Sequence, residues 1–154
     1  MNRCNRRVTA KFLSIRLAGH THFLTVTLRP TASTQNTFDR RLKLERTVQH
    51  LLHRLSRACF KKQHKRQGLR VGACANVELG SSGDHVHAHI TLERPPSVEY
   101  QAFERLILSS AKRCRTLGPE IDLRTIGSAM GLAGYLSKEG QESLLPLAIQ
   151  DAKY

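Results

Sequence analysis

Three histidines stand at every second position in the segment GDHVHAHITLERP: His85, His87 and His89. A two-residue spacing is the period of a β-strand, so it places all three imidazoles on one face of a sheet. Imidazole is the commonest metal ligand among protein side chains. The row therefore predicts either a metal site or a strand face that is exposed to solvent and chemically idle.

A carboxylate on the preceding segment adds to this row. The segment LRVGACANVELG is predicted to be a strand, and the SSGD that follows it suits a hairpin with a tight turn at 82–83. That turn pairs Glu78 with His87, and Asn76 with His89, on one face of the hairpin. Two imidazoles of the row and Glu78 then form a mixed nitrogen and oxygen site. Such a site is open to Mn²⁺, Mg²⁺ or zinc and to substrate oxygens.

The chain is strongly basic, and this charge points to an anionic partner. Its 154 residues carry a formal net charge of +13, which predicts a polyanion, most often nucleic acid. Many basic residues fall on a predicted amphipathic helix from Phe38 to about Lys62 and on the connector KKQHKRQG that follows it. We predict that six of them bind nucleic acid: Arg40, Arg41, Lys61, Lys62, Lys65 and Arg66. Three histidines of the same stretch, His50, His53 and His64, are interpreted as surface residues.

The cysteine and hydropathy patterns argue against a disulfide-rich, zinc-ribbon or membrane-spanning protein. The four cysteines are widely separated and include no C-x-x-C pair. They predict reduced thiols in a cytoplasmic protein rather than a zinc ribbon or a disulfide framework. No apolar run approaches the roughly 20 residues of a membrane-spanning helix. The basic N-terminal segment lacks the apolar stretch of a signal peptide and is interpreted as a basic arm.

Periodicity predicts an alternation of strands and helices. Strands are predicted at 22–30, 69–80, 85–93 and 120–127, and helices at 38–62, 98–116 and from 128 to about Gly140. The first six elements follow the split βαβ order of a ferredoxin-like α+β sandwich with a central antiparallel sheet. Helices would cover one face of this sheet and leave the other face for polar chemistry. The predicted organisation is a basic arm at 1–21, a domain at 22–140 and a tail at 141–154.

The last predicted helix carries a tyrosine and a lysine three residues apart. Tyr135 and Lys138, in the segment GYLSKEG, share one helical face. Taken alone, this pair is typical of a packed tyrosine beside a solvated lysine. Together with the basic charge and the histidine row, it forms a recognisable combination.

This combination resembles the HUH endonucleases, which include the rolling-circle replication initiators (Rep), relaxases and single-strand transposases. Their first motif, a hydrophobic strand ending in a turn, is similar to FLTVTLRP. Their histidine–hydrophobic–histidine motif matches HAHITLERP at His87 and His89. Their Tyr-x-x-Lys motif matches YLSKEG at Tyr135 and Lys138, as in the single-tyrosine class. The carboxylate that completes the metal site of the viral initiators falls here on Glu78.

The resemblance implies the HUH endonuclease fold and a divalent metal site on the histidine row. Mn²⁺ or Mg²⁺ would be held by Glu78, His87 and His89. His85 makes the row longer than the family motif, so it stays an alternative ligand. The metal would neutralise and polarise the non-bridging oxygens of a phosphodiester.

The same resemblance implies covalent nicking and joining of single-stranded DNA. Tyr135 would attack phosphorus in line, form a 5′-phosphotyrosine and release a 3′-OH that primes rolling-circle replication. Lys138 would hold the phosphate or lower the pKa of the tyrosine, which is about 10 for a free side chain. The other tyrosines are set aside, because Tyr100 is expected on the helix-covered side of the sheet and Tyr154 on an unanchored tail.

A helicase motif is absent from the sequence, and this affects which partners are expected. The chain has no G-x-x-x-x-G-K-[ST], the signature of the helicase domain in the viral initiators. A separate helicase is therefore an expected partner, beside a single-stranded replication origin or element end. The expected location is the cytoplasm of a bacterium that carries a plasmid or phage, or a virus-infected host cell, with no membrane partner.

Three other interpretations stay open. The first is a transposase-like or relaxase-like HUH enzyme of a mobile element, which shares the site and differs in the DNA it recognises. The second is a non-catalytic basic protein that binds nucleic acid. Aromatic residues make up only 5% of the chain and tryptophan is absent, which counts against a base-stacking platform. The third is a metal-binding regulator that uses the histidine row.

Overall fold

The computed structural model describes residues 3–29, 36–79, 86–137, 144–145 and 148–154 of the chain. In chain order, the elements within these ranges are α1 (Arg3–Arg16), β1 (His20–Leu28), α2 (Thr37–Phe60), α3 (Lys62–Gln67), β2 (Ala73–Leu79), β3 (Val86–Glu93), α4 (Tyr100–Lys112), β4 (Leu117–Thr125) and α5 (Ala129–Leu136). The predicted connector after α2 thus contains a short helix, α3. None of the described helices is long and apolar enough to span a membrane.

The four strands form one antiparallel sheet with the order β2-β3-β1-β4. β3 pairs with β2 on one side and with β1 on the other, and β4 pairs with the outer side of β1. The histidine strand β3 therefore lies between the two strands of the first βαβ unit, which is the arrangement of a split βαβ fold. The predicted α+β ferredoxin-like sandwich with a central antiparallel sheet is confirmed.

The predicted register of the histidine hairpin is also confirmed. Glu78 is paired with His87, and Asn76 with His89. A slip of one residue would have moved Glu78 to the opposite face, so the pairing decides which side chains meet. The turn at 82–83 and the alternative ligand His85 lie outside the described residues.

The main core lies between one face of the sheet and the helices α2 and α4. Leu51 of α2 and Phe103 and Ile107 of α4 are almost fully buried against Leu24 of β1 and Ile90 of β3. Burial of each such side chain contributes about 1.5–3 kcal/mol. This packing holds the two central strands rigidly, and it leaves their alternate residues facing away from α2 and α4.

The sequence predicted a second sheet face without helices, but two helices cover part of this face. Residues 3–16, interpreted from the sequence as part of a basic arm, form α1, and α1 packs against α5. The contact buries Leu13 of α1 and Leu17, one residue beyond its end, with Cys74 of β2 and Leu136 of α5. Apolar side chains four residues apart lie on one helical face, but Phe12 and Ile15 are apolar and exposed on other faces of α1, so the sequence does not reveal the buried face. The two helices cover part of the second face and leave the histidine rows beside them.

The C-terminal segment is anchored, which corrects the expectation of an unanchored tail. Its described residues run antiparallel along the outer edge of β2, with isolated bridges from Leu144 to Asn76, from Gln150 to Ala73 and from Lys153 to Arg70. Leu145 and Ala148 are buried in the main core, and Asp151 forms an ion pair with Arg16 of α1. The segment thereby covers the backbone groups of an otherwise exposed edge strand.

Leu145→Ala is expected to destabilise the fold strongly. Leu145 is fully buried in the main core, and removal of a buried leucine side chain typically costs about 2–5 kcal/mol. The control is Ile15→Ala on α1, where the side chain is 68% exposed and a change within about 0.5 kcal/mol is expected. Urea denaturation followed by circular dichroism measures both. Equal stabilities for the two variants would show that residues after 137 do not belong to the folded unit.

Candidate active site

The sheet face opposite the main core carries rows of polar side chains. The strand register aligns Glu78 of β2, His87 of β3 and Thr27 of β1 in one row. The next row aligns four residues: Asn76, His89, Thr25 and Asp122. This geometry brings the three predicted ligands Glu78, His87 and His89 onto one face of adjacent strands.

His89 is held by contacts at both ring nitrogens. Its Nε2 lies 2.8 Å from Oε2 of Glu78, and its Nδ1 lies 3.1 Å from the hydroxyl of Thr25. The ring also stacks on Phe23, with centroids 5.4 Å apart. With only 9% of its surface exposed, His89 has one ring orientation in which Nε2 is aimed at the carboxylate.

His87 repeats the arrangement one row along the strand. Its Nδ1 lies 3.4 Å from the hydroxyl of Thr27, so Nε2 is again the nitrogen that does not face β1. Histidines that bind a metal commonly use one ring nitrogen for the metal and hydrogen-bond the other to a neighbour that sets the ring orientation. Thr25 and Thr27 occupy the positions of such orienting neighbours, and neither was predicted from the sequence.

The donor chemistry of this face fits a divalent metal ion, although the ligand set is not closed. Among the described residues, no three His, Cys, Asp or Glu side chains converge closely enough to form a complete metal site. Glu78 and His89 nevertheless meet through a carboxylate oxygen and an imidazole nitrogen, a donor pair that suits Mn²⁺ as well as zinc. In this arrangement Nε2 of His89 donates a hydrogen bond to Glu78, and a bound cation would replace the shared hydrogen.

Tyr135 lies beside this group on α5. Its side chain is 46% exposed, and its ring centroid is 6.1 Å from that of His89, with the rings at 75°. The neighbouring Leu136 is buried against α1, and its carbonyl accepts a hydrogen bond of 3.3 Å from the side-chain amide of Asn76. These contacts anchor α5 on β2 and present Tyr135 at the edge of the histidine rows.

The route by which Tyr135 reaches the histidines differs from the prediction. The strand before α5 was expected to adjoin the histidine strand, but β1 separates β4 from β3. The helix α5 instead crosses the polar face from β4 toward β2, where Asn76 binds its end. Lys138, the predicted partner of Tyr135, lies outside the described residues.

The two remaining tyrosines stand on other parts of the molecule. Tyr100 begins α4, where its hydroxyl lies 2.9 Å from that of Thr125, so it is on the helix-covered side as predicted. Tyr154, expected on an unanchored tail, instead packs 6.1 Å from the ring of Phe60. Burial raises the pKa of Tyr154, which disfavours the phenolate that a nucleophile requires.

Two histidines of β1, to which the sequence analysis gave no role, flank an irregularity of the strand. The register shifts between His20 and His22, so the two rings lie on opposite faces of the sheet. His20 lies 2.7 Å from the hydroxyl of Thr91, and burial together with the charge of Arg16 lowers its pKa to about 4. His22 is fully buried under α4, and burial lowers its pKa too. Both act as neutral structural side chains.

The six predicted nucleic-acid-binding residues do not form one patch. Arg40 and Arg41 lie near the start of α2 and the other four lie at or beyond its end, about 30 Å away at 1.5 Å per residue. Arg41 donates a hydrogen bond of 2.8 Å to the carbonyl of Leu144 and thus ties α2 to the C-terminal segment. The second group, Lys61, Lys62, Lys65 and Arg66, is exposed.

Thr25→Val is expected to weaken Mn²⁺ binding by roughly 10- to 100-fold, the usual effect of losing a group that orients a ligand. Valine keeps the branched shape of threonine and removes the hydroxyl that lies 3.1 Å from His89. Isothermal titration with MnCl₂ measures the affinity. The control Thr47→Val removes a hydroxyl on α2, on the other side of the sheet. Unchanged Mn²⁺ affinity in Thr25→Val would exclude the orienting role.

Comparisons with known proteins give little guidance. No family model matches the chain, and no curated protein matches it. A solved structure of a REP-associated tyrosine transposase bound to a REP hairpin is similar to 77% of this chain, with 17% sequence identity and a TM-score of 0.35. The chain spans 62% of the length of that protein. A TM-score this low does not establish a shared fold or function.

Proposed function

We propose that the protein is a metal-dependent endonuclease that cleaves and rejoins single-stranded DNA through Tyr135. One observation carries the proposal: a half-exposed tyrosine lies beside a histidine whose Nε2 contacts a carboxylate, on the polar face of a basic domain. A tyrosine supplies a nucleophile, the histidines and the carboxylate supply ligands for a cation, and the net charge of +13 favours an anionic substrate.

The reaction is a transesterification at phosphorus. The oxygen of Tyr135 forms a bond to phosphorus, and the bond from phosphorus to the 3′ oxygen breaks. The tyrosine loses its proton, and the departing 3′ oxygen gains one, so that a 5′-phosphotyrosine and a free 3′-OH result. The reverse reaction rejoins the strand, because the phosphotyrosine keeps the energy of the phosphodiester.

The residues around Tyr135 have separate tasks in this scheme. Glu78, His87 and His89 would hold Mn²⁺ or Mg²⁺, which would offset the negative charge of the phosphodiester and polarise its non-bridging oxygens. Lys138 follows Tyr135 by three residues and is assigned to binding the phosphate or favouring the phenolate. His85 remains the alternative ligand.

The proposal extends to initiation of rolling-circle replication, because the released 3′-OH is a primer for a polymerase. A separate helicase would then open the duplex, and the substrate would be a single-stranded origin in a plasmid- or virus-bearing cell. Strand transfer at the ends of a mobile element is the other use of the same chemistry. The two differ in the DNA that is recognised and share the residues of the site.

A non-catalytic nucleic-acid-binding protein is the less favoured function. Such a protein stacks bases on exposed aromatic side chains of its sheet. The described strands carry one phenylalanine on the polar face, Phe23. Its ring is already stacked on His89 and packed against the buried residues between α1 and α5. This face lacks a platform for bases within the described residues.

End-labelled DNA tests the proposal. A mixed library of single strands is incubated with the protein and MnCl₂ and separated on a denaturing gel. A label at the 3′ end is expected to move into a protein–DNA adduct. A label at the 5′ end is expected on a shortened strand that a polymerase extends. The opposite partition of the labels would overturn the proposed polarity, and equal cleavage in EDTA would overturn the metal requirement.

A further inference from the structure

The helical side of the molecule carries a second basic feature. Where α2 meets α3, a cavity of about 600 Å³ is lined by six side chains that are all basic or imidazole: His53, Arg57, Lys61, Lys62, His64 and Lys65. An adjoining cavity of about 440 Å³ shares His53 and Arg57 and is also lined by His50, Arg54 and Arg113. No Asp or Glu lines either cavity in the part of the chain that the structure describes.

The chain builds this cavity by an abrupt change of direction. α2 ends at Phe60, which is buried in the main core. Lys61 has a φ of 50°, a value that residues other than glycine rarely adopt. The short helix α3 then ends at Gly68, which has a left-handed conformation. The turn brings His64 of α3 back against His53 of α2, with ring centroids 4.8 Å apart.

The two histidines form a hydrogen-bonded pair of defined polarity. Nδ1 of His64 lies 2.6 Å from the carbonyl of Leu69, which can only accept, so this nitrogen carries a proton. Nε2 of His64 then lies 3.3 Å from Nδ1 of His53. In the neutral pair, Nδ1 of His53 donates to Nε2 of His64, and Nε2 of His53 is an acceptor.

One added proton binds Nε2 of His53, the acceptor of the neutral pair, and leaves the heavy atoms in place. Both ring nitrogens of His53 then carry protons, and Nε2 becomes a donor. The pair gains a positive charge and a new N–H group next to Arg57 and the lysines. Such a group suits an anion, and a bound anion in turn favours the added proton.

Every charged group that lines the two cavities acts in the same sense on this equilibrium. From α2 these groups are His50, Arg54 and Arg57, from the turn and α3 they are Lys61, Lys62 and Lys65, and from α4 the group is Arg113. In the absence of an anion, partial desolvation and the charges of His64 and Arg57 lower the pKa of His53. An anion in the cavity offsets these charges, so proton uptake and anion binding are coupled.

We propose that this cluster of His53, Arg57, Lys61, Lys62 and His64 binds phosphate groups of a nucleic-acid backbone and takes up a proton on binding. It lies on the outer side of α2, whereas Tyr135 and His89 lie on the opposite face of the sheet. The cluster therefore binds a different segment of nucleic acid from the one at Tyr135. This inference does not depend on the proposed cleavage.

Binding of a fluorescein-labelled single-stranded 20-mer, measured by anisotropy in EDTA at constant ionic strength, tests the inference. Wild type is expected to bind about tenfold more tightly at pH 5.5 than at pH 7.5, because one proton is taken up with the anion. The double variant H53Q/H64Q keeps two polar side chains of similar size and is expected to lose this gain while keeping its affinity at pH 7.5. Arg57→Ala and Lys62→Ala are expected to weaken binding at both pH values and to lower the salt slope by about one each.

Controls separate this cluster from other titrating groups. The single variant H20Q removes a histidine on the opposite face of the sheet and should keep the pH-dependent gain. Titrations in buffers of different ionisation enthalpy should show proton uptake by wild type and its loss in H53Q/H64Q. Circular dichroism checks that the double variant is folded. A full pH-dependent gain in folded H53Q/H64Q would overturn the inference. Inorganic phosphate that displaces the 20-mer at equal concentration would also overturn it, since the site would then be one for free anions.

Discussion

Tyr135→Phe is expected to abolish the covalent protein–DNA adduct and the cleavage of single-stranded DNA. The change removes one oxygen and keeps the ring whose centroid lies 6.1 Å from that of His89. Because the side chain is 46% exposed, its hydroxyl is not needed for the core, and the fold and DNA binding should survive. Denaturing electrophoresis of the reaction with labelled DNA measures adduct and product together.

Tyr100→Phe is the matched control for this experiment. It removes the same atom from a tyrosine on the helix-covered side of the sheet, where the hydroxyl lies 2.9 Å from Thr125. Tyr100→Phe should cleave DNA at the wild-type rate, although its free energy of unfolding should be slightly lower. An adduct formed by Tyr135→Phe would show that another residue is the nucleophile. Loss of the adduct in Tyr100→Phe alone would indicate that Tyr100 is the nucleophile.

His89→Ala is expected to lower the rate of cleavage on the order of 1,000-fold, because a cation at this site supplies several kcal/mol of charge stabilisation and each 1.4 kcal/mol is tenfold. His89 makes the imidazole–carboxylate contact of 2.8 Å with Glu78. His87→Ala is expected to act in the same direction, and Glu78→Gln should weaken Mn²⁺ binding while it keeps the fold. Single-turnover cleavage across a range of MnCl₂ concentrations measures the effect.

A shift in the metal dependence distinguishes loss of a ligand from general damage. A variant that has lost a ligand should recover part of its rate at high Mn²⁺, whereas a misfolded one should not. His20→Gln is a useful control, because His20 lies on the polar face beside Thr91 but is not a predicted ligand. A wild-type rate in His89→Ala would exclude this histidine from the metal site.

The sequence predicted the hairpin of β2 and β3 well because two independent signals agree there. Alternation places His87 and His89 on one face, and a tight turn at 82–83 then leaves one register for Glu78. Thr25 and Thr27 also alternate in β1, but alternation does not reveal which strands become neighbours. Their position beside the histidines depends on β1 pairing with β3, which only the assembled sheet shows.

The two ends of the chain were predicted poorly, for physical reasons. The apolar side chains of α1 do not form one stripe, because Phe12 and Ile15 are exposed whereas Leu13 is buried with Leu17 against α5. The C-terminal segment is held by isolated backbone bridges and by single buried residues such as Leu145. Backbone pairing of this kind leaves no periodic pattern of side chains. The position of Tyr135 depends on both segments, because α1 packs against α5 and because Leu144 and Ile149 pack against the same buried cluster as Leu136.

As the proposed nucleophile, Tyr135 is expected to become covalently joined to DNA. The most direct measurement is mass spectrometry of the adduct after digestion with trypsin and a nuclease, with wild-type protein, a mixed single-stranded library and MnCl₂. The peptide containing Tyr135 is expected to carry a nucleotide joined through its 5′-phosphate. A nucleotide on a peptide with Tyr100 or Tyr154, or no modified peptide from DNA that has been cleaved, would contradict this expectation.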